Sequence, residues 1–142
     1  MEIPKDTKIG TYEIKDKIGS GGMGCVYLAY QPNLDRQVAI KSINLGLSDD
    51  PDFKQRAIKE AKNQCKLKDD RIVQVYDAFE DPTYGNLIVM EYVRGQGLDK
   101  IISTRTCIPE PEAIEIFKEI LKAMHYAHGK NIIHRDLKPA ML

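Results

Sequence analysis

The sequence predicts an α+β protein. A five-stranded antiparallel sheet with one helix comes first, and a mainly helical segment follows. Three observations support this. From Tyr12 to about Tyr92, apolar residues recur mostly at every second position, the period of a half-buried strand, with one helical interruption. Gly95-Gln96-Gly97 then breaks the pattern with residues that permit unusual backbone angles. Beyond that break, Pro111 to His128 places apolar residues three and four apart, the period of a helix.

Residues 1–11 read as a charged lead-in, with the sheet beginning near Ile9. Tyr12, Ile14 and Ile18 fall on one face of a first strand, and Gly24, Val26 and Leu28 on one face of a second. Gln31 to Arg36 (QPNLDR) has turn composition. Gln37 to Ile43 is a third strand, with Ala39, Lys41 and Ile43 on one face and Val38 and Ile40 on the other. Asp52 to Leu67 reads as a helix; at about 100° per residue, Phe53, Ala57, Glu60 and Gln64 share a sector of about 60°. A carboxylate therefore sits in the more apolar face, where an ordinary amphipathic helix would keep it on the solvent side. Ile72 to Phe79 and Asn86 to Val93 are two further strands joined through Glu80 to Gly85. Leu98 to Ser103 is a short helix. Pro111 to His128 is a long one, with a stripe of Ala113, Phe117, Ile120, Met124 and Ala127 and with Pro and Glu in its first turn. The remainder, from Asn131, is irregular and polar.

Composition excludes several classes of function. Of 142 residues, 21 are Lys or Arg and 21 are Asp or Glu, so the formal net charge is zero. A nucleic-acid binder held by bulk charge would carry a basic excess. Trp is absent and aromatics are 7%, which disfavours a stacking platform for single strands. The longest apolar run is six residues, Cys25 to Tyr30. A membrane span would need about 18. The first ten residues lack the apolar core of a signal peptide. Three widely spaced Cys fit a reducing compartment and a cytoplasmic setting better than a disulfide framework.

Four groups could carry chemistry. Gly19-Ser20-Gly21-Gly22-Met23-Gly24 would let backbone N–H groups approach phosphate oxygens. Alone, such a run is as readily a flexible turn. A strand-like stretch, not a helix, follows it, which argues against a dinucleotide fold, and no GxxxxGK[ST] occurs. In Val38-Ala39-Ile40-Lys41, a Lys beside a small Ala on one strand face could hold phosphates next to a flat base. Glu60 could pair with Lys41 and fix it. In His134-Arg135-Asp136-Leu137-Lys138-Pro139, Asp136 could accept a proton from a substrate hydroxyl, and Lys138 could neutralise a transferring phosphoryl group. Each group has an ordinary counterpart: a solvated Lys, an exposed Glu, a basic loop after a helix. His125 and His128 have helical HxxH spacing but no third ligand, so they read as packed or solvated residues. Cys25 has no basic neighbour and reads as a small hydrophobe.

Together and in this order, the four groups resemble the signature set of the eukaryotic-like serine/threonine protein kinases. The loop GSGGMGCVYLAY is most similar to the bacterial branch of that family. The resemblance runs from Tyr12 to Leu142. It implies an incomplete kinase domain, with a small lobe over 12–94 and, over 95–142, the first helices and catalytic loop of a large lobe. By that likeness Ile18, Gly19, Ser20, Gly21, Gly22, Met23, Gly24, Cys25 and Val26 form a flap over phosphates, with Ile18 and Val26 also capping adenine next to Ala39. Lys41 holds the α- and β-phosphates and Glu60 pairs with it. Met90 is the gatekeeper, and the backbones of Glu91 and Val93 bond adenine. Asp136 is the catalytic base and Lys138 a phosphate contact. The implied partners are ATP, Mg²⁺ and a protein bearing Ser or Thr.

The family pattern is followed up to Pro139 and then departs. An Asn that binds a second metal is expected shortly after; Ala140-Met141-Leu142 stands there, through deletion of that Asn or its replacement by Met141. No Asp-Phe-Gly occurs in the 142 residues, so both usual metal ligands are missing from them. The expectation is a chain truncated at its C-terminal side. Two functions follow: ATP-dependent phosphorylation of protein Ser/Thr by descent, or a catalytically silent module that binds nucleotide or a partner. Self-association through the apolar stripe of helix 111–128 is a further expectation.

Overall fold

The computed structural model describes residues 2–21, 24–43, 59, 61–134 and 137–142. The described strands are β1 (Lys8–Ile9), β2 (Tyr12–Gly21), β3 (Gly24–Gln31), β4 (Arg36–Ile43), β5 (Val75–Asp81) and β6 (Gly85–Glu91). The described helices with full bounds are α1 (Leu98–Arg105) and α2 (Glu110–Gly129). Short 3-10 turns span Pro32–Leu34 and Pro139–Met141. The chain separates into two compact units, Met1–Lys68 with Val73–Tyr92, and Asp69–Ile72 with Val93–Leu142.

The first unit is built on an antiparallel sheet in the order β1-β2-β3-β4-β6-β5. Five of its strands are those the period-two pattern predicts. The sixth, β1, comes from the expected lead-in: Lys8 and Ile9 pair with Glu13 and Tyr12. Ile3 and Ile9 are buried there, so the segment 2–9 adds two side chains to the core. Their alternation is too short, and too interrupted by Pro4 and charge, to stand out in the sequence.

One sheet face makes that core: Tyr12 and Ile14 from β2, Cys25, Tyr27 and Ala29 from β3, Val38 and Ile40 from β4, Leu87 and Val89 from β6. Spacing by two within each strand puts these side chains on one face. At about 25 cal/mol per Å² of apolar surface removed from water, such a cluster is the main favourable term of this unit. Phe79 and Tyr84 pack against it from the β5–β6 hairpin.

Turn chemistry sets the strand ends. Between β3 and β4, Pro32 opens the 3-10 turn and Asp35 adopts a left-handed conformation at φ 46°. Arg36 Nε donates to Gln31 Oε1 at 2.8 Å across its base. β5 starts at Val75, three residues later than the apolar run suggests. Asp69 is the reason: its Oδ1 accepts the Arg71 backbone N–H at 3.0 Å, and its carbonyl accepts the Ile72 N–H at 2.9 Å. That turn places 69–72 with the second unit. Of the helix expected over 52–67, residues 59 and 61–64 are helical and Cys65 to Leu67 form a closing turn. Residues 52–58 and 60 lie outside the described residues.

In the second unit, α1 and α2 are joined by a fork in which Arg105 donates to both Glu112 oxygens at 2.6 and 3.0 Å. The α2 stripe runs through Ala113, Ile116, Ile120, Ala123, Met124 and Ala127, which are half-buried or buried. Phe117, expected in that stripe, is instead 59% exposed. It lies about 20° beyond Met124, at the edge of the stripe on the side away from Ile116. Among the described residues, no helix is long and apolar enough to cross a membrane.

Candidate functional site

The glycine run closes a hairpin. β2 and β3 stay paired out to Gly21 opposite Gly24. Gly24 has φ 135°, which a side chain would strain. Gly22 and Met23 lie outside the described residues. A strand follows Gly24, so the dinucleotide arrangement, which needs a helix there, is excluded. Ile18 occupies a register irregularity between Lys17 and Gly19 and is 44% exposed. A bulge of this kind re-aims one side chain while pairing resumes on either side. A Cβ on Gly19 would stand 3.7 Å from Val26 Cβ, an ordinary contact. Ser20, opposite Cys25, is exposed.

The sheet face opposite the core gathers four of the other candidates. Val26 pairs with Lys41, which pairs with Ile88. Leu28 pairs with Ala39, which pairs with Met90. Directly paired residues share a face with Cβ atoms about 5 Å apart. Val26, Lys41, Ala39 and Met90 are therefore close neighbours on one surface, beside the root of the glycine hairpin. Val26, Lys41 and Met90 are half-buried and Ala39 is buried. A small residue between two larger ones leaves a shallow seat for a flat group, and Lys41 supplies a positive charge one row away.

Cys25 is placed differently from the expectation that put it with the binding residues. It is 7% exposed and its side chain joins the core on the other face. Its carbonyl accepts the Ser42 hydroxyl at 3.3 Å. Alternation explains this, since Cys25 is one residue from Val26. Two residues absent from the sequence-based set stand on the Lys41 face: Leu28 beside Ala39, and Ile88 beside Lys41. The signal was present, because each lies two positions from a chosen residue.

The strand leading out of the sheet bears Glu91, whose N–H donates to the Gln74 carbonyl at 2.8 Å. Val93 belongs to the second unit and is 59% exposed. Glu60 and Asp136 lie outside the described residues. Lys138 is exposed, extended at φ −151°, and precedes the turn Pro139–Met141. That turn returns to α1, where the Leu98 N–H donates to the Leu142 main-chain oxygen at 3.0 Å. It thereby satisfies one of the donors a helix start leaves open. α2 ends with Asn131 at φ 59°, the Asn131 N–H bonded to His128 and the Ile132 N–H to Ala127. Asn tolerates the left-handed geometry this helix end requires. Among the described residues, no three His, Cys, Asp or Glu side chains come together to hold a metal ion.

The family described as "Protein kinase domain" matches residues 12–142. The serine/threonine-protein kinase PksC of Streptomyces coelicolor is 39% identical over 137 residues, covering 92% of this chain and 25% of that protein. The serine/threonine-protein kinase PrkC of Bacillus subtilis is 41% identical over 131 residues, covering 92% of this chain and 20% of that protein. The chain thus spans about a fifth to a quarter of the curated relatives it matches. A crystal structure of the Mycobacterium tuberculosis PknI kinase domain superposes with a TM-score of 0.86 at 27% identity, over 99% of this chain and 57% of that one. With the glycine hairpin, the Lys41 strand and this match over nearly all its length, the chain belongs to the protein kinase domain family.

Proposed function

We propose that the protein takes part in ATP-dependent phosphorylation of Ser or Thr in a protein substrate. The observation that carries the proposal is the register placing Val26, Ala39, Lys41 and Met90 on one sheet face beside the glycine hairpin. The names of relatives about 40% identical supply the reaction class. Ala39, Val26, Leu28 and Met90 form the apolar bed for adenine. The Glu91 N–H is already bonded to Gln74, so Glu91 offers the base its carbonyl, and Val93 offers its backbone. Lys41 bonds the α- and β-phosphates and Glu60 orients it. In the transfer, the substrate hydroxyl oxygen bonds to the γ-phosphorus, the bond to the β–γ bridging oxygen breaks, and ADP leaves. Asp136 takes the hydroxyl proton and Lys138 balances charge on the transferring group. Mg²⁺, when bound, supplies further charge neutralisation.

A second reading is a silent nucleotide-binding module. It is favoured by one observation: Ala140-Met141-Leu142 follows Pro139, with no Asn at the position where the family pattern expects one. The two readings separate in one assay, the transfer of label from γ-labelled ATP to a generic protein substrate. A polypeptide of these 142 residues is expected to bind nucleotide and transfer nothing. The product expressed from the gene is expected to transfer label, with loss on Lys41→Met and on Asp136→Asn. Transfer indifferent to Lys41→Met would overturn the first reading. Nucleotide binding with no transfer by the gene product would favour the second.

A further inference from the structure

We infer that residues 2–9 brace the glycine hairpin from behind, and that Ile3 and Tyr27 are positioning residues for nucleotide binding. The inference rests on the nucleotide reading above. The segment reaches both strands of the hairpin. Glu2 pairs with Lys17 on β2, beside the bulged Ile18 and Gly19. Ile3 donates its backbone N–H to the Tyr27 hydroxyl on β3 at 3.0 Å. The Ile3 side chain is 4% exposed and Tyr27 1% exposed, so this contact is made inside the core. Lower down, the Asp6 N–H donates to the Ile14 carbonyl and the Ile14 N–H to the Thr7 carbonyl, at 2.8 and 2.9 Å.

The position of these contacts along the hairpin gives them their meaning. Lys17 and Tyr27 are a paired position, two rows from Ser20 opposite Cys25. Tyr27 follows Val26, whose side chain lies on the Lys41 face. β3 is held by β4 out to Gly24 opposite Ile43, so the freedom at the hairpin end lies in β2, which β1 covers only at Tyr12 and Glu13 and which ends in glycines, the residues that lose the most conformational freedom on ordering. A segment clamped to both strands behind the tip limits that freedom. The entropy of holding the hairpin over phosphates is then lost on folding and not on binding. Tyr27 suits the role: its ring is core, and its hydroxyl gives the Ile3 N–H a partner where burial would otherwise leave that donor unmet.

The test compares wild type, Ile3→Ser, Tyr27→Phe, Glu2→Gln and Lys41→Met in the 142-residue protein. A fluorescent ATP analogue gives affinity, and hydrogen exchange at Lys17–Gly21 and Gly24–Val26 gives hairpin stiffness, both read well below each variant's Tm. Tyr27→Phe, which keeps the ring and removes the acceptor of the Ile3 N–H, is expected to weaken binding about fivefold, the weight of one net hydrogen bond, with faster exchange at those amides. Ile3→Ser, which keeps the backbone N–H but unseats a buried apolar side chain, is expected to act in the same direction. Ile3→Val is expected to restore both readouts. If Ile3→Ser does not fold, Tyr27→Phe and Glu2→Gln carry the test. Wild-type affinity and exchange in Tyr27→Phe and Ile3→Ser would overturn the brace. Lys41→Met separates the two claims, since unchanged affinity there refutes the nucleotide reading while the exchange data still decide the brace.

Discussion

Asn86 is 1% exposed, yet among the described residues neither its amide nitrogen nor its side-chain oxygen has a hydrogen-bond partner. A buried polar group without partners costs its full desolvation, and an apolar replacement recovers it. Asn86→Val, β-branched and suited to β6, is expected to stabilise the protein by about 1 kcal/mol. Urea unfolding checks this as a higher midpoint at constant slope; a lower midpoint would mean that the amide is satisfied. Asp69 shows the opposite situation. Hydrogen bonds from the Arg71 guanidinium and backbone hold its carboxyl below the usual carboxylate range. A lowered carboxylate pKa adds stability that is present above the unfolded value of about 3.9 and is lost as pH falls through the folded value. Asp69→Asn should therefore lower Tm at pH 7, with the difference from wild type shrinking below about pH 4. A difference independent of pH would assign the effect to the turn geometry alone.

At the scale of elements, α2 leaves Ile114, Phe117 and Leu121 exposed by 45, 59 and 53%. A polypeptide of these 142 residues is expected to bind an apolar-surface dye. Phe117→Ser with Leu121→Ser should reduce that fluorescence without changing far-ultraviolet circular dichroism. Equal fluorescence would locate the apolar surface elsewhere. The same helix shows what sequence reading could reach. Its existence, its extent and most of its buried stripe are legible from the 3.6 period, with Phe117 the exception. Phe117 and Ile116 are both apolar, and only neighbours distant in sequence decide which one faces inward. β3 and β4 were legible almost to the residue, because each alternates and each ends at a turn-forming stretch. β5 was misjudged at its start because Ile72 and Val73 continue the apolar pattern while Asp69 holds the chain in a turn. β1 was missed because two residues carry no period. For the site, alternation puts Val26, Ala39, Lys41 and Met90 on one face, and the same rule puts the Cys25 side chain, one residue from Val26, on the other.

At the scale of the whole molecule, the sheet unit presents two faces with different tasks. One buries the core of Ile14, Tyr27, Val38, Ile40, Leu87 and Val89. The other carries Lys41 between Val26 and Ile88, and Ala39 between Leu28 and Met90. Strand period assigns the two tasks, so a change on one face is expected to leave the other's work largely intact. On the nucleotide reading proposed above, Lys41 would contribute most to phosphate binding, because hydrogen bonds to charged groups exceed neutral ones. The most direct measurement is equilibrium titration of the 142-residue protein and of its Lys41→Met variant with a fluorescent ATP analogue. Saturable binding that ATP displaces is expected, weakened at least about tenfold by the substitution while Tm stays near wild type. Equal affinity in the two proteins, or no displacement by ATP, would contradict the nucleotide reading.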